Sequence, residues 1–420
     1  MRETVKNNCQ LLEEGEFSLP KGWEVKKLGE IGNIFNGNSI NAKVKKDKYL
    51  NLIDGFPYIA TKDVTYESTI DYNNGIKIPF KEKKFFKIAK KHTILICAEG
   101  GSAGRKICFT EQEVCFGNKL FALYPKVNIE NRFIYYYYFS STFQNDFKNH
   151  LTGIIGGVSM NKFKQLEVPM PPILEQKRIV AILEYTFKAI DQAKTNTEQN
   201  LKNAKELFES YLQNIFKNNN WERYKIENLT SLITKGSSPN WQGVNYVENS
   251  GIFFLTSKNV GEGELLLKNK KYLEEKFNKI QKTSILKKGD VLTNIVGASI
   301  GRTAIFDLEE VTNINQAVCL MRCLPNKTYN YYLMYLLNSP FFKNILHNNE
   351  VNNARANLSL TFFKHLLIPV PELSEQIKIT ERIKQFLSET KKLETIYQQK
   401  INNLVELKKS ILQQAFKGEL

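Results

Sequence analysis

Two short loops carry the residue types best suited to holding a phosphate. Gly100-Gly101-Ser102-Ala103-Gly104-Arg105 and Gly297-Ala298-Ser299-Ile300-Gly301-Arg302 each combine small residues, a hydroxyl and a guanidinium, directly after an apolar run. Small residues let backbone N–H groups approach an anion closely, and the arginine adds charge and donors. The same composition also makes a tight strand connection with no ligand, and the loops alone leave both readings open. Neither is a nucleoside-triphosphate cradle: Glu99 stands five positions before Gly104 and Arg105 follows it, so the GxxxxGK[ST] spacing is missing.

Residue types that would make or break bonds are not assembled anywhere. No Asn-Pro-Pro-aromatic run is present to hold an extruded adenine, and no Pro-Asp pair opens a nuclease-like carboxylate cluster. The six cysteines (Cys9, Cys97, Cys108, Cys115, Cys319, Cys323) show no CxxC spacing, and His92, His150, His347 and His365 stand apart from them, so no zinc site is expected. Cysteines within ILICA and CFGNKLFALY suit buried strand positions in a reducing compartment. Glu175 and Glu375 open long helical stretches, where the macrodipole is sufficient reason for a negative charge. The chain is expected to bind rather than to catalyse.

The charge balance points to the kind of ligand. With 59 Lys and Arg against 43 Asp and Glu, the formal net charge is +16, which favours a polyanion such as nucleic acid. Lysines cluster at Lys43, Lys45, Lys46 and Lys48, at Lys81, Lys83, Lys84 and Lys87, and at Lys268, Lys270 and Lys271, where they could contact phosphates. The run Tyr135 to Tyr138 could stack on bases, but its counterpart Leu333-Met334-Tyr335-Leu336 is core-like, so it is taken as interior. No apolar stretch reaches the roughly 18 residues of a membrane span, and Arg2, Glu3 and Lys6 precede no signal-peptide core. A soluble, cytoplasmic protein is expected.

What positions these loops is a tandem duplication. Residues 168–217 recur as 368–417 at a constant offset of 200, matching Pro169/Pro369, Pro171/Pro371, Glu175/Glu375, Gln176/Gln376 and Ile179/Ile379, then Ser210/Ser410, Leu212/Leu412, Phe216/Phe416 and Lys217/Lys417. No Gly or Pro interrupts 173–217 or 372–417, so each can be one helix of about 65 Å. An apolar stripe follows the first (Ile179, Ile182, Phe187, Ile190, Ala193, Thr197, Leu201, Ala204, Leu207, Tyr211, Ile215) and the second (Ile383, Phe386, Leu393, Tyr397, Ile401, Leu404, Leu407, Ile411). So narrow a stripe asks for a helical partner.

Landmarks before the helices repeat in the same order at offsets of 196 to 200. Trp23 answers Trp221, Ile59–Val64 answers Leu255–Val260, Gly101–Arg105 answers Ala298–Arg302, Asn118 answers Asn315 and Ser159 answers Ser359. HTILICA, KICF, GDVLTNIV and RTAIF look like strands, whereas NRFIYYYYFSSTFQNDFK and NYYLMYLLNSPFFKNIL look helical, so each globular half is a mixed α+β domain. The expected layout is a first domain at 1–167, a helix at 168–217, a second domain at 218–367 and a helix at 368–420. If Leu420 returns to the segment before Trp23, the helices run antiparallel and the molecule has pseudo-two-fold symmetry.

The start LPKGWEVKKLGEI, the loops GSAGR and ASIGR, the lead-ins PMPPILEQKRI and PVPELSEQIKI and the ending QQAFKGEL resemble the DNA specificity subunit of type I restriction-modification systems, over essentially the whole chain. The first copy departs in having Gly117-Asn118-Lys119 where the second has Asn315-Gln316-Ala317. The resemblance implies two target recognition domains, each reading one half of a bipartite double-stranded DNA site, and an antiparallel coiled coil that sets the spacing and docks partners. It implies no catalysis in this chain. Two methyltransferase subunits would bring S-adenosylmethionine, and two restriction subunits, which combine motor and nuclease, would bring ATP and Mg²⁺.

Candidate DNA contacts are then Thr61, Lys62, Ser102, Arg105, Asn118 and Lys119 in the first domain, and Ser257, Lys258, Ser299, Arg302, Asn315 and Gln316 in the second; Glu175, Gln176, Glu375 and Gln376 are candidates for subunit docking. A methylation-only system with the same bipartite logic, and a coiled-coil scaffold that does not read DNA, are the alternatives.

Overall fold

The computed structural model describes residues 19–153, 156–217, 220–248, 250–349, 351–352 and 356–420. Cys9 and the residues before Leu19 lie outside this set. Two compact units emerge, one reaching from the N-terminal domain to Asn196 and including Ile401–Leu420, the other spanning Thr197–Lys400. Each unit therefore contains one domain and segments of both long helices.

In the first unit, an antiparallel four-stranded sheet runs Gly32–Asn36, Leu120–Pro125, Ile94–Cys97, Ile107–Phe109 in spatial order. Its pleat separates two cores. Ile94, Ile96, Ile107, Phe121 and Leu123 face a helical layer, while Leu95, Cys97, Cys108, Leu120 and Ala122 face the other way, toward Ile59, Val114 and Phe116 of a second sheet. That second sheet has Phe56–Ile59 parallel to Val114–Phe116, flanked by Lys77–Ile78 and Ile88–Ala89. The second unit repeats the plan. Thr230–Lys235, Val318–Cys323, Val291–Asn294 and Thr303–Ile305 form the antiparallel sheet, and Ile252–Leu255 lies parallel to Thr312–Ile314 in the other.

The cysteines expected to be interior bear this out at Cys97, Cys108, Cys115 and Cys319, which are buried, with Cys323 half-buried. Desolvation pushes the thiols of Cys115, Cys319 and Cys323 up to about 12, which keeps them protonated. Of the tyrosine run, Tyr137 and Tyr138 are buried and Tyr135 and Tyr136 pack partly against the same core.

The segments expected to be helical each break once. Asn131–Tyr137 and Ser141–Asn149 are separate helices, as are Asn330–Asn338 and Pro340–Asn348. The hydroxyls of Ser140 and Ser339 cap the second helix of each pair, accepting from Phe143 N–H and Phe342 N–H.

Both long helices keep the offset to the residue: Ile173–Lys217 and Leu373–Lys417. In the first unit, Asp191 pairs with Lys408 at 2.8 Å, Arg178 donates to Leu420 O at 2.6 Å, and Gly418 lies against Pro20. The first helix thus ascends while the second descends, as expected. In the second unit Tyr211 packs on Phe386 with ring centroids 4.3 Å apart. The duplicated Phe416 and Phe216 end these helices inside domain cores, Phe416 against Phe133 and Tyr137, Phe216 against Tyr332. The apolar stripe is corrected in places. Leu207, Leu393 and Leu407 are exposed, whereas Leu183, Leu212 and Phe216 are buried.

Candidate nucleic-acid interface

In the first unit both parallel strands run out at one edge. Ile59 leads into the turn Thr61–Asp63 and Phe116 into Gly117-Asn118-Lys119, tied by Gly117 N–H donating to Ile59 O at 2.9 Å. Strand Ile94–Cys97 leaves the larger sheet at the same edge and opens the glycine loop. There Ala98 N–H donates to Lys119 O at 2.9 Å and the Lys106 ammonium donates to Thr61 O at 3.0 Å. Thr61, Lys62, Ser102, Arg105, Asn118 and Lys119 are therefore brought onto one edge. In the second unit Asn315 N–H donates to Leu255 O at 3.1 Å, Ile295 N–H to Ala317 O at 2.9 Å and the Asn294 amide to Ser257 O at 2.8 Å, which gathers Ser257, Lys258, Ser299, Arg302, Asn315 and Gln316 in the same way.

Local chemistry fixes these loops. The Asp63 carboxylate accepts from Ala60 N–H at 2.8 Å and Asn259 Oδ1 accepts from Thr256 N–H at 3.0 Å, capping single turns that leave Lys62 and Lys258 exposed. Gly104 has a positive φ of 72°, and a Cβ there would meet the Phe147 ring at 2.6 Å. Arg105 donates to Gly101 O at 2.5 Å and lies over the Tyr66 ring, 5.2 Å from its centroid. Arg302 is exposed and makes no side-chain hydrogen bond, ion pair or ring contact among the described residues. The Ser102 hydroxyl shares its hydrogen bond with Cys97 Sγ at 3.4 Å, and Lys119 is paired with Glu99 at 3.0 Å.

One pairing inferred from sequence shifts by a residue. Because Gly117 and Asn315 make the same backbone bonds, the structural counterpart of Asn118 is Gln316, and that of Lys119 is Ala317. The half-buried Asn315 side chain accepts from Ala317 N–H at 3.1 Å, whereas Asn118 and Gln316 are exposed. Among the clustered lysines, Lys48, Lys83 and Lys270 are committed to Glu82, Glu113 and Glu310. Lys45 lies over Tyr58, and Lys87 donates to the Asn36 amide oxygen at 3.0 Å.

Gln176 and Gln376 are buried, which removes them from any surface the folded chain offers for docking. The Gln176 amide oxygen accepts from Glu130 N–H at 2.9 Å while its NH₂ donates to Pro171 O at 2.8 Å. Gln376 repeats the clamp with Tyr329 N–H at 2.8 Å, Pro371 O at 2.9 Å and Lys327 O at 3.0 Å. Glu175 and Glu375 stay partly exposed. The Arg178 fork on Glu175, two bonds of 2.7 Å, holds that carboxyl below its usual range.

Sequence reasoning missed the duplicated glycines Gly37 and Gly236. A Cβ on Gly37 would lie 1.9 Å from Phe116 O, and one on Gly236 1.6 Å from Ile314 O, so at both places the chain leaves the larger sheet across the end of a parallel strand at a distance only glycine allows. The signal was present as Asn36-Gly37-Asn38-Ser39 against Lys235-Gly236-Ser237-Ser238. Among the described residues no group of three His, Cys, Asp or Glu side chains is placed to hold a metal ion, and no helix is long and apolar enough to cross a membrane.

Comparison with known proteins finds the type I restriction modification DNA specificity domain twice, over residues 20–203 and 218–403. The type I restriction enzyme EcoBI specificity subunit of Escherichia coli is 24% identical, across 100% of this chain and 90% of that protein. The MjaVIII specificity subunit of Methanocaldococcus jannaschii is 23% identical, across 96% of this chain and 91% of that protein. In fold, the chain matches one solved in a study of complex assembly and conformational transition of the type I R-M system, with TM-score 0.78 and 18% identity over 96% of this chain and all of that one. It also matches the HsdS subunit of Thermoanaerobacter tengcongensis, with TM-score 0.63 and 19% identity over 97% of this chain and 99% of that one.

Proposed function

The chain belongs to the type I restriction-modification DNA specificity family, as a non-catalytic specificity subunit, and on that premise we propose that each of its two loop-bearing edges reads one half of a bipartite DNA site. The observation that carries this reading is the repetition of the edge itself. The same backbone bonds gather a lysine, an arginine and an exposed amide at the ends of the parallel strands in each unit. Lys62, Arg105, Lys258 and Arg302 are assigned to phosphates, and the amides of Asn118 and Gln316 to base edges. Because the two edges differ in side chains, the half-sites need not match in sequence. We take 1–167 and 218–367 as the recognition domains and 168–217 and 368–420 as the spacing helices.

Type I restriction-modification assembly supplies the chemistry from partners. Two methyltransferase subunits carrying S-adenosylmethionine and two restriction subunits using ATP and Mg²⁺ would join this chain in the cytoplasm, with Glu175 and Glu375 at the helix starts as docking contacts. The test is to co-express the chain with its methyltransferase subunit and map modified adenines across the host genome by single-molecule sequencing. A bipartite motif with an unspecified spacer is expected. An assembled complex that leaves no such motif would refute the reading in favour of a scaffold.

A further inference from the structure

The two units part company immediately after the duplicated glycines. From Gly37 the first chain runs into the helix Ala42–Tyr49, which carries Lys43, Lys45, Lys46 and Lys48 against one acid, Asp47. From Gly236 the second chain runs through Ser237-Ser238-Pro239-Asn240-Trp241-Gln242-Gly243, with no charged residue before Glu248. Trp241 in this loop is 89% exposed. Trp23 and Trp221, the duplicated pair, are instead packed on the two domain cores.

An indole held in water forfeits much of the largest apolar burial any side chain offers, so a loop that merely connects would let it fold down. This loop holds it out. Gln242 N–H and Val244 N–H both donate to Pro239 O at 2.9 and 3.1 Å, and the Gln242 amide donates to the Ser237 hydroxyl at 3.1 Å. Gly243 turns the chain with a positive φ of 63°, and Val244 buries itself beside Ile252, Phe254, Leu273 and Phe277. At its other end the loop is tied to the reading edge, since Gly236 N–H donates to Asn315 O at 3.2 Å, next to Gln316.

We infer that Trp241 is a wedge that enters the DNA at the half-site read by the second unit and stacks on a base step it has opened. The absence of charge in the loop disfavours phosphate contact, whereas an apolar wedge between base pairs needs a rigid mount and no cation. A flat indole also stacks on any base, and removing such contacts typically lowers affinity about 5- to 150-fold. The first unit has a cationic helix in the corresponding place, so the wedge belongs to one half-site alone. This inference rests on the bipartite-site reading above.

The experiment uses the complex of the full chain with its methyltransferase subunit and compares wild type, Trp241→Ala and Trp241→Phe. Genome-wide adenine mapping comes first. Duplexes bearing the mapped motif are then made with 2-aminopurine at successive positions, whose fluorescence rises where stacking is lost. Beyond the target adenines that the methyltransferase itself extrudes in the two half-sites, wild type should brighten one further position in a single half-site, Trp241→Ala should abolish that further signal alone and lower affinity tenfold or more, and Trp241→Phe should keep most of both. An unchanged motif, affinity and fluorescence pattern in Trp241→Ala would overturn the inference while leaving the bipartite reading intact. Loss of the methyltransferase subunit from the Trp241→Ala complex would also overturn it, by placing the indole in a protein interface. A wild-type map without a bipartite motif removes the premise and the inference together.

Discussion

Gly236 shows how much a single methyl group decides at this edge. A Cβ placed 1.6 Å from Ile314 O would have to displace backbone on a strand end that also holds Asn315 and Gln316. Overpacking of this kind destabilises by about 1–3 kcal/mol when neighbours can shift, and here the neighbour is a carbonyl in a sheet. Gly236→Ala should therefore lower the denaturant midpoint and, in the methylation map, loosen one half-site while the other stays intact. A variant with wild-type stability and motif would show that the close approach is dispensable. Where the two copies could be laid over each other in sequence, the pairs Lys62 and Lys258 or Arg105 and Arg302 take equivalent places in the two units. The pairing slipped by one at Asn118, because a chemical match between two asparagines outweighed a backbone match that only hydrogen bonds reveal. Trp241 had no duplicate to draw attention to it.

At the scale of elements, the long helices were the most legible part of the chain, since an uninterrupted run between a Pro-rich lead-in and the same Phe-Lys ending fixes both limits. Less legible was which face is buried. The periodic stripe assumes one partner, but near its ends each helix meets both the other helix and a domain, so Leu183 and Phe216 are buried in domain cores while Leu207 and Leu407 stay in water. The duplicated glutamines belong to this same junction. Gln376 is fully buried and ties the helix start to Tyr329 N–H, Lys327 O and Pro371 O. Removing the amide leaves the half-buried Tyr329 N–H and Pro371 O without this partner and opens a void at a fully buried position, and a polar group stranded from water carries a penalty of about 1–3 kcal/mol. Gln376→Ala should accordingly destabilise the isolated chain by at least about 2 kcal/mol in urea titration. Were Gln376 a docking residue instead, the isolated chain would unfold as wild type does and only partner binding would weaken.

For the whole molecule, the consequence of a duplicated domain carried on helices of equal length is that specificity and spacing are separate properties of the sequence. On the function proposed above, base contacts sit on loops at the strand ends, and the helices contribute length. The helical pair changes from one compact unit to the other at Asn196/Thr197 and Lys400/Ile401. Seven residues inserted at both places add two turns, keep the apolar stripe close to its phase and lengthen each helix by about 10 Å. Against a rise of about 3.4 Å per base pair, the mapped spacer should grow by about three base pairs with both half-sites unchanged. The same insertion in one helix alone should abolish assembly, because antiparallel partners such as Asp191 and Lys408 would lose register with everything on one side of it. A spacer unaltered by the matched insertion would mean that the helices hold the domains without measuring the DNA, and the ruler would have to be sought in the partner subunits.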